Sequence, residues 1–215
     1  MKNRLWTLSL LLLGSCVGTH RLADPTLVIQ TRSGSELGVS TDYGIVFLGS
    51  TARSGDVDIM SWYGDGPNIE STVIEPINDQ LFTAETEIRL ASVPLTFEEP
   101  EAGQEVLLIG RKNFERWERY MEVVSHPQVD GILLRVPSEL RNAPEQMGAG
   151  VFICPGGDCT RKRLVGLVAG QISLSTAEGT EKFVAVIGPS ELWRLATHRK
   201  DSLRRKPWIY RDDIL

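Results

Sequence analysis

Three cysteines carry the clearest chemical potential in this sequence, one near the N-terminus and two close together in the C-terminal half. Cys16 ends an apolar stretch, whereas Cys154 and Cys159 flank the turn-forming residues Pro-Gly-Gly-Asp. A pair of thiols in an oxidising compartment forms a disulfide, and thiolates also bind zinc in sets of four ligands. Because no histidine lies near this pair in the sequence, a zinc site is disfavoured. We therefore predict a Cys154–Cys159 disulfide across a hairpin turn and no metal site.

The first fifteen residues have the organisation of an export signal. Lys2 and Arg4 precede an apolar run from Leu5 to Leu13, and small residues follow it. A helix of nine residues covers about 13 Å, which is less than half of the ~30 Å hydrocarbon core of a bilayer. This segment is therefore too short to span a membrane, and we expect residues 1–15 to be removed during export.

The end of this segment, Leu13-Gly14-Ser15-Cys16, resembles a bacterial lipobox. In lipobox proteins the cysteine thiol is acylated, the chain is cut before the cysteine, and the new amine is acylated too. Several acyl chains on one residue meet the two-signal requirement for stable anchoring. The resemblance implies a lipoprotein of the bacterial cell envelope, anchored to the membrane through Cys16. Val17 follows the cysteine in place of the Asp typical of inner-membrane retention, which favours the outer membrane in a two-membrane cell. A plain signal peptide with an incidental cysteine is the alternative.

Composition describes one ordinary folded domain behind this signal. An apolar fraction of 41% with 24% charged residues is typical of a globular chain, and the net charge of −5 argues against nucleic acid as a partner. We assign residues 16–24 to the lipidated cysteine and a short linker, 25–200 to the domain and 201–215 to a basic tail. From Arg194 onward seven Lys or Arg stand against three Asp, a patch that is either solvated or faces acidic headgroups or a partner.

Short β-rich runs bounded by turn residues fill the domain. The expected strands are Leu27–Thr31, Leu37–Ser40, Gly44–Gly49, Val57–Trp62, Ile88–Val93, Glu105–Gly110, Gly131–Val136, Gly150–Ile153, Leu164–Ile172 and Lys182–Ile187. Apolar residues at helical spacing predict a helix over Asn113–Val124, and a second helix over Glu191–Leu203 follows the cap Pro189-Ser190. About ten strands with a terminal helix favour a pair of β-barrels or a sandwich over alternating βαβ units.

Four segments, in this order, resemble the trypsin-like (chymotrypsin-fold) serine peptidases. They are Tyr43–Ala52, Glu87–Leu95, Ala102–Arg111 and Pro144–Phe152, which resemble the histidine strand and turn, the acid strand, the strand after it and the nucleophile loop. Leu164–Gly170 then resembles the strand that lines the first side-chain pocket, and Glu191-Leu192-Trp193 resembles the closing helix. The resemblance implies an all-β fold of two six-stranded barrels with a C-terminal helix.

The triad positions of that family carry unsuitable residues here. The histidine position falls on Ser50, the acid on Glu87 and the nucleophile on Met147. Acyl transfer needs a hydroxyl activated by a general base, and a thioether has no proton to lose. The oxyanion-hole glycine also falls on a glutamate, Glu145. The resemblance therefore implies a pseudopeptidase without catalytic residues. Convergence of Ser50, Glu87 and Met147 in one cleft between two barrels would support the family assignment.

Without catalysis, the family's peptide groove remains. The strand matched by Val168, Ala169, Gly170 and Gln171 pairs with an extended peptide in that family, a form of β-strand addition. The leading hypothesis is a lipid-anchored module that binds or scaffolds a peptide or an envelope protein and needs no cofactor.

Two other functions stay open from the sequence. One is a divergent serine-type endopeptidase that uses His126 or His198 as a base with a remote serine such as Ser125. The other is a purely structural envelope lipoprotein. Labelling by a fluorophosphonate probe separates the first of these from a pseudopeptidase.

Overall fold

A computed structural model describes residues 24–62, 67–88, 90–136, 147–176 and 179–205, the last seven by backbone alone. Its strands are β1 Thr26–Thr31, β2 Gly34–Thr41, β3 Gly44–Phe47, β4 Asp56–Trp62, β5 Pro67–Pro76, β6 Phe82–Ala84, β7 Glu105–Lys112, β8 Glu115–His126, β9 Val129–Arg135, β10 Gly150–Ile153, β11 Arg163–Thr176 and β12 Gly179–Ile187. One helix, α1 Pro189–Arg205, follows. The expected signal peptide over residues 1–15, the lipidated Cys16 and the end of the basic tail lie outside these ranges.

The strands close into two antiparallel barrels of six strands each. The first has the order β1-β2-β3-β6-β5-β4 and is closed by β1 against β4, and the second has the order β10-β11-β12-β9-β8-β7 and is closed by β10 against β7. Closure gives every strand of each barrel two neighbouring strands. The prediction of two six-stranded barrels with a C-terminal helix is confirmed. The helix α1 ends at Arg205, five residues beyond residue 200, where the domain was expected to end.

The predicted helix over Asn113–Val124 is wrong, because this segment belongs to the β7–β8 hairpin. Lys112 pairs with Glu115, so Asn113 and Phe114 form a two-residue turn. Burial then alternates along β8 toward Met121 and Val123, as expected of a strand. The Trp117 ring covers Gly110 on β7, where a Cβ would lie 2.2 Å from the ring. Trp117 therefore packs across the hairpin on its partner strand and not along a helix face.

The predicted strand Ile88–Val93 is also wrong, because this segment belongs to the connection between the barrels. Its alternating burial, with Ala91, Val93 and Leu95 inside, has the period of a strand. Val93 makes an isolated parallel bridge to Thr41 of the first barrel, and Leu95 makes another to Leu164 of the second. The segment is extended between the two barrels, one side packed on the core, without joining either sheet.

A shared apolar core holds the barrels and α1 together. It combines Val39 and Val46 of the first barrel with Ile109 and Phe152 of the second. Leu192 of α1 joins the same cluster and is fully buried, so α1 is part of the fold. Within the described ranges, no helix combines the length and apolarity needed to cross a bilayer.

The predicted disulfide between Cys154 and Cys159 is confirmed. It closes the connection between β10 and β11, which contains two short 3-10 turns, Pro155–Gly157 and Cys159–Arg161. Asp158 caps the second turn by accepting a hydrogen bond from the Thr160 amide at 2.9 Å. The disulfide therefore pins a compact hairpin connection at the surface of the second barrel.

The barrels approach to backbone contact where Gly148 meets Leu37. The Leu37 amide donates to the Met147 carbonyl at 3.2 Å, which ties β2 directly to the segment before β10. Gly148 has φ +82°, and a Cβ there would lie 2.0 Å from the Leu37 carbonyl oxygen. Only glycine fits both the left-handed backbone and the contact with a rigid strand.

We expect Gly148→Ala to destabilise the fold by about 3 kcal/mol or more, because it adds a backbone clash to the left-handed strain. Urea unfolding measures the loss. Gly103→Ala is the matched control, since Gly103 has φ +87° with nothing within 4 Å of an added Cβ. The control should lose only about 1 kcal/mol, and equal losses for both variants would contradict the close contact.

Candidate functional site

A cavity of about 560 Å³ opens where the two barrels meet. Its lining residues come from β1, β2 and the loop after β3 on one side, and from β7, the β7–β8 turn and the segment before β10 on the other. They are Val28, Ser35, Glu36, Leu37, Ser50, Thr51, Arg111, Asn113, Phe114 and Met147. The structure thus brings Ser50 and Met147, two of the three predicted triad positions, into one inter-barrel cavity.

Met147 lies at the mouth of this cavity. Its side chain is 43% exposed, although its carbonyl is held by the Leu37 amide and the next residue is buried against β2. The side chain is therefore presented to solvent by a fixed backbone. Residues 144–146 of the predicted nucleophile loop, including Glu145, lie outside the described residues.

Ser50 follows β3 in the loop that leads to β4, and it is exposed. The preceding Gly49 lies against the Phe82 ring, where a Cβ would come within 2.4 Å of two ring carbons. Since Phe47 pairs with Phe82 at the start of β6, the Ser50 loop is anchored to that end of the first barrel.

Glu87 is not among the described residues that line this cavity, so it lies apart from the other two positions. It follows the end of β6, whereas the Ser50 loop lies beside the start of that strand. Its neighbours Thr86 and Ile88 line a separate cavity of about 350 Å³, which shares no lining residue with the first. The Glu87 side chain is exposed, so Glu87 holds no position from which it could orient a base in the inter-barrel cavity.

The Glu87 segment is held by a carboxylate from a neighbouring strand. The amide of Glu87 donates to the Glu70 oxygens at 2.9 and 3.0 Å, the Ile88 amide donates at 3.0 Å, and the Thr86 hydroxyl donates as well. Burial by itself would raise the pKa of Glu70, but these donors outweigh it and lower that pKa. Glu70 therefore organises this turn as an anion.

Glu36, on β2, is the carboxylate that the structure places in the inter-barrel cavity. It is 5% exposed, and its Oε1 accepts from the Thr51 amide at 3.2 Å and the Thr51 hydroxyl at 3.1 Å. Its other oxygen, Oε2, is buried without a hydrogen-bond partner in the described part of the chain. A buried carboxylate oxygen without a donor is costly, and such groups are rare in folded proteins.

A buried ion pair forms the opposite wall. Arg111 on β7 donates to the Asp24 carboxylate, with both side chains nearly inaccessible, and its Nη1 donates to the Phe114 carbonyl at 2.6 Å. Its guanidinium lies over the Trp62 ring, 3.6 Å from the centroid. Burial lowers the pKa of Arg111 below its usual value, and Asp24 opposes this shift. Asp24, at the end of the expected linker, thus joins the two barrels.

Phe114 lies at the rim of the cavity and has a strained backbone conformation. Asn113 and Phe114 have φ +50° and +68°, the left-handed pattern of a tight two-residue hairpin turn. Asparagine tolerates this region, but a bulky aromatic residue normally avoids it. The Phe114 ring is 57% exposed and lies 6.2 Å from the Trp62 ring, centroid to centroid. Strained residues held in place by their surroundings cluster at functional sites.

The predicted peptide-binding strand lies on β11, beside the segment that carries Met147. The Gly148 amide donates to the Val168 carbonyl, and the Val168 amide donates to the Ala149 carbonyl, both at 2.9 Å. Pairing with β10 ends at Leu167, and no described strand pairs with the side of Ala169–Gln171 that faces away from β12.

Of the described residues, none form a group of three or more acids, histidines or cysteines that could hold a metal.

No protein-family model matches this chain, and no curated protein matches its sequence. Solved structures do resemble it in fold. A serine protease of a human pathogenic astrovirus aligns with TM-score 0.53 and 14% identity, covering 80% of this chain and 98% of that one. The MamO protease domain of Magnetospirillum magneticum aligns with TM-score 0.50 and 17% identity, covering 78% of this chain and 94% of that one.

A serine endoprotease from Yersinia pestis aligns with TM-score 0.53 and 15% identity over 86% of this chain and 65% of that one. Identities this low establish the architecture alone. The chain has the two-barrel fold of the trypsin-like serine peptidases, as its sequence resemblance implied.

Sequence reasoning missed Glu36, Arg111 and Phe114 as residues of the site. The signal for Glu36 was an acid inside a β-rich run next to Leu37. The signal for Phe114 was the preceding asparagine, which favours a left-handed turn between two strands. Arg111 offered no comparable signal, because its role depends on Asp24, which lies 87 residues away in the chain.

We expect Phe114→Gly to be more stable than Phe114→Leu by about 1 kcal/mol, because both variants lose the ring but only glycine relieves the left-handed strain. Urea unfolding of the two variants and the parent chain measures the difference. A leucine variant as stable as the glycine variant would show that the turn stores no strain.

Proposed function

We propose that this chain is a lipid-anchored envelope protein that binds a peptide or protein partner between its two barrels without cleaving it. The observation that carries this proposal is Met147 at the mouth of the inter-barrel cavity, whose lining also includes Ser50. A thioether cannot form an acyl intermediate, and a serine hydroxyl near neutral pH is no general base.

The remaining groups of the cavity support the same conclusion. The described lining residues include no histidine and no cysteine, and the single carboxylate among them, Glu36, accepts hydrogen bonds from Thr51. Hydroxyl, carboxylate and guanidinium groups fixed by their neighbours suit recognition of a ligand. Loss of a working triad lowers the turnover of a serine peptidase by about 10⁶-fold, as mutation of subtilisin illustrates.

The groove for an extended partner would run along Ala169–Gln171 of β11. Main-chain groups on this side of the strand can pair with a peptide, as in β-strand addition. A peptide bound there would pass Met147 on its way into the inter-barrel cavity, because the hydrogen bonds of Gly148 hold Met147 beside Val168. Methionine adapts its shape to varied apolar partners.

The membrane anchor is the second part of the proposal. It rests on the resemblance of Leu13–Cys16 to a lipobox. Acyl chains on Cys16 would hold the folded domain at a membrane surface by the short segment before Asp24, which is buried against Arg111. The domain would then meet its partner close to the membrane surface. Val17 after the cysteine favours placement in the outer membrane, because the Asp typical of inner-membrane retention is not at this position.

We expect the full-length protein to retain members of a random decapeptide pool and to return them uncut, with no covalent labelling by a fluorophosphonate probe. Mass spectrometry of the eluted peptides and in-gel fluorescence provide the two measurements, with an active serine peptidase as the positive control. Labelling that prior boiling abolishes, or recovery of cut peptides, would instead support a divergent serine-type endopeptidase. A pool from which nothing is retained would leave a structural lipoprotein as the better explanation.

We expect the wild-type protein to partition with membranes and Cys16→Ser to become soluble, because the acyl chains have no other attachment point of this kind. Membrane fractionation followed by immunoblotting measures the distribution. The double variant Cys154→Ala/Cys159→Ala is the matched control, since it removes the other two cysteines and should stay with the membrane. Membrane partitioning of Cys16→Ser equal to that of the wild type would refute lipid anchoring.

A further inference from the structure

We infer that the inter-barrel cavity is a binding site for a primary ammonium or guanidinium group carried on an apolar stem, such as a basic side chain of the bound partner. This deepens the proposed function and rests on it, because it names the chemistry of the group that the partner inserts. The site lies on the first-barrel side of the cavity, away from the Ala169–Gln171 groove.

The buried Glu36 carboxylate is the first observation that points to a cation. Two donors from Thr51 satisfy one of its oxygens, while Oε2 has no donor within the described residues. Glu36 lines the cavity, and the terminal torsion of a glutamate is broad, so the carboxylate can turn toward a donor bound there. An ammonium ion supplies three N–H donors and a guanidinium five, and charge-assisted bonds to a carboxylate are about twice as strong as neutral ones.

The charge balance of the cavity is the second observation. Glu36 and Arg111 are the charged residues that line it in the described part of the chain. Asp24 pairs with Arg111 and also with Arg116, whose Nε lies 3.6 Å from the same carboxylate, and the Phe114 carbonyl accepts a further guanidinium hydrogen bond. Glu36 has no such counter-ion among the described residues, where its partners are the amide and the hydroxyl of Thr51. The Glu36 side of the cavity therefore presents a carboxylate without a described counter-ion, which attracts a cation and repels a second carboxylate.

The rim of the cavity supplies the surface for an apolar stem. Phe114 and Met147 are exposed by 57% and 43%, and both line the cavity, together with Val28 and Leu37 deeper inside. A long basic side chain buries its methylene stem on such a surface while its charged end reaches a carboxylate. An aromatic face also attracts a cation that passes it. The left-handed backbone conformation of Phe114 holds its ring at this rim, which gives the strain a functional role.

The test is a thermal-unfolding titration of the full-length protein in detergent with n-butylammonium chloride, which reproduces the end of a lysine side chain. n-Butanol tests the stem without charge, sodium butyrate tests the opposite charge, and ammonium chloride at equal concentration controls for ionic strength. We expect the melting temperature to rise saturably with n-butylammonium only, because a ligand that binds the folded state stabilises it.

Glu36→Gln is the decisive variant, since the amide keeps the acceptor for Thr51 and removes only the charge. We expect it to weaken n-butylammonium binding by about tenfold or more. Glu87→Gln is the matched control, because it removes an exposed carboxylate of the same barrel that does not line the cavity. It should bind the amine as the wild type does.

Several outcomes would overturn the inference. These are a wild-type protein that does not respond to n-butylammonium, one that responds equally to butanol or butyrate, and an amine affinity unchanged by Glu36→Gln. If Glu36→Gln fails to fold, Phe114→Leu replaces it and should weaken binding about threefold, and unchanged binding would again overturn the inference. A chain that retains uncut peptides but ignores the amine refutes this inference alone, whereas cleavage of the peptide pool refutes the proposed function alone.

Discussion

The contact between Gly148 and the Leu37 carbonyl sets the distance between the two barrels, and the rest of the site depends on it. With no Cβ at this position, two rigid sheets approach to backbone contact, and the Leu37 amide reaches the Met147 carbonyl. The shared core of Val39, Phe152 and Leu192 can then pack without a gap. Close packing of this kind transmits any shift at Gly148 to both barrels.

Polar and charged groups at the junction follow from that approach. Asp24, Glu36 and Arg111 are all nearly inaccessible, and each would be costly if left unpaired. Asp24 and Arg111 compensate each other across the junction, with Trp62 beneath the guanidinium. Within the described residues, Glu36 is compensated on one oxygen only. The charged groups of the cavity are thus desolvated, which is the condition under which electrostatic recognition is strongest.

The proposed loss of catalysis is compatible with a retained groove because the two depend on different atoms. Catalysis depends on side-chain functional groups at three positions, which the sequence resemblance places at Ser50, Glu87 and Met147. Strand pairing depends on main-chain groups of β11, which any side chain permits. The structure separates Glu87 from the other two positions, since it lies beyond β6 beside Glu70. The buried acid that shares the cavity with Ser50 is Glu36, which lies on β2.

Local pattern determined much of this protein from its sequence: the strand alternation, the disulfide across a Pro-Gly-Gly turn, the presence of a C-terminal helix and the order of segments that implies two barrels. These features depend on neighbours within a few residues, so a linear chain displays them. The same patterns misled in Asn113–Val124, where the apolar spacing of a strand matched a helix, and in Ile88–Val93, where a connection between the barrels alternates in burial like a strand. Only the tertiary structure decided which residues form the site. Asp24 and Arg111, or Glu36 and Phe114, are far apart in the chain, and only the packing of the two barrels against each other brings them together.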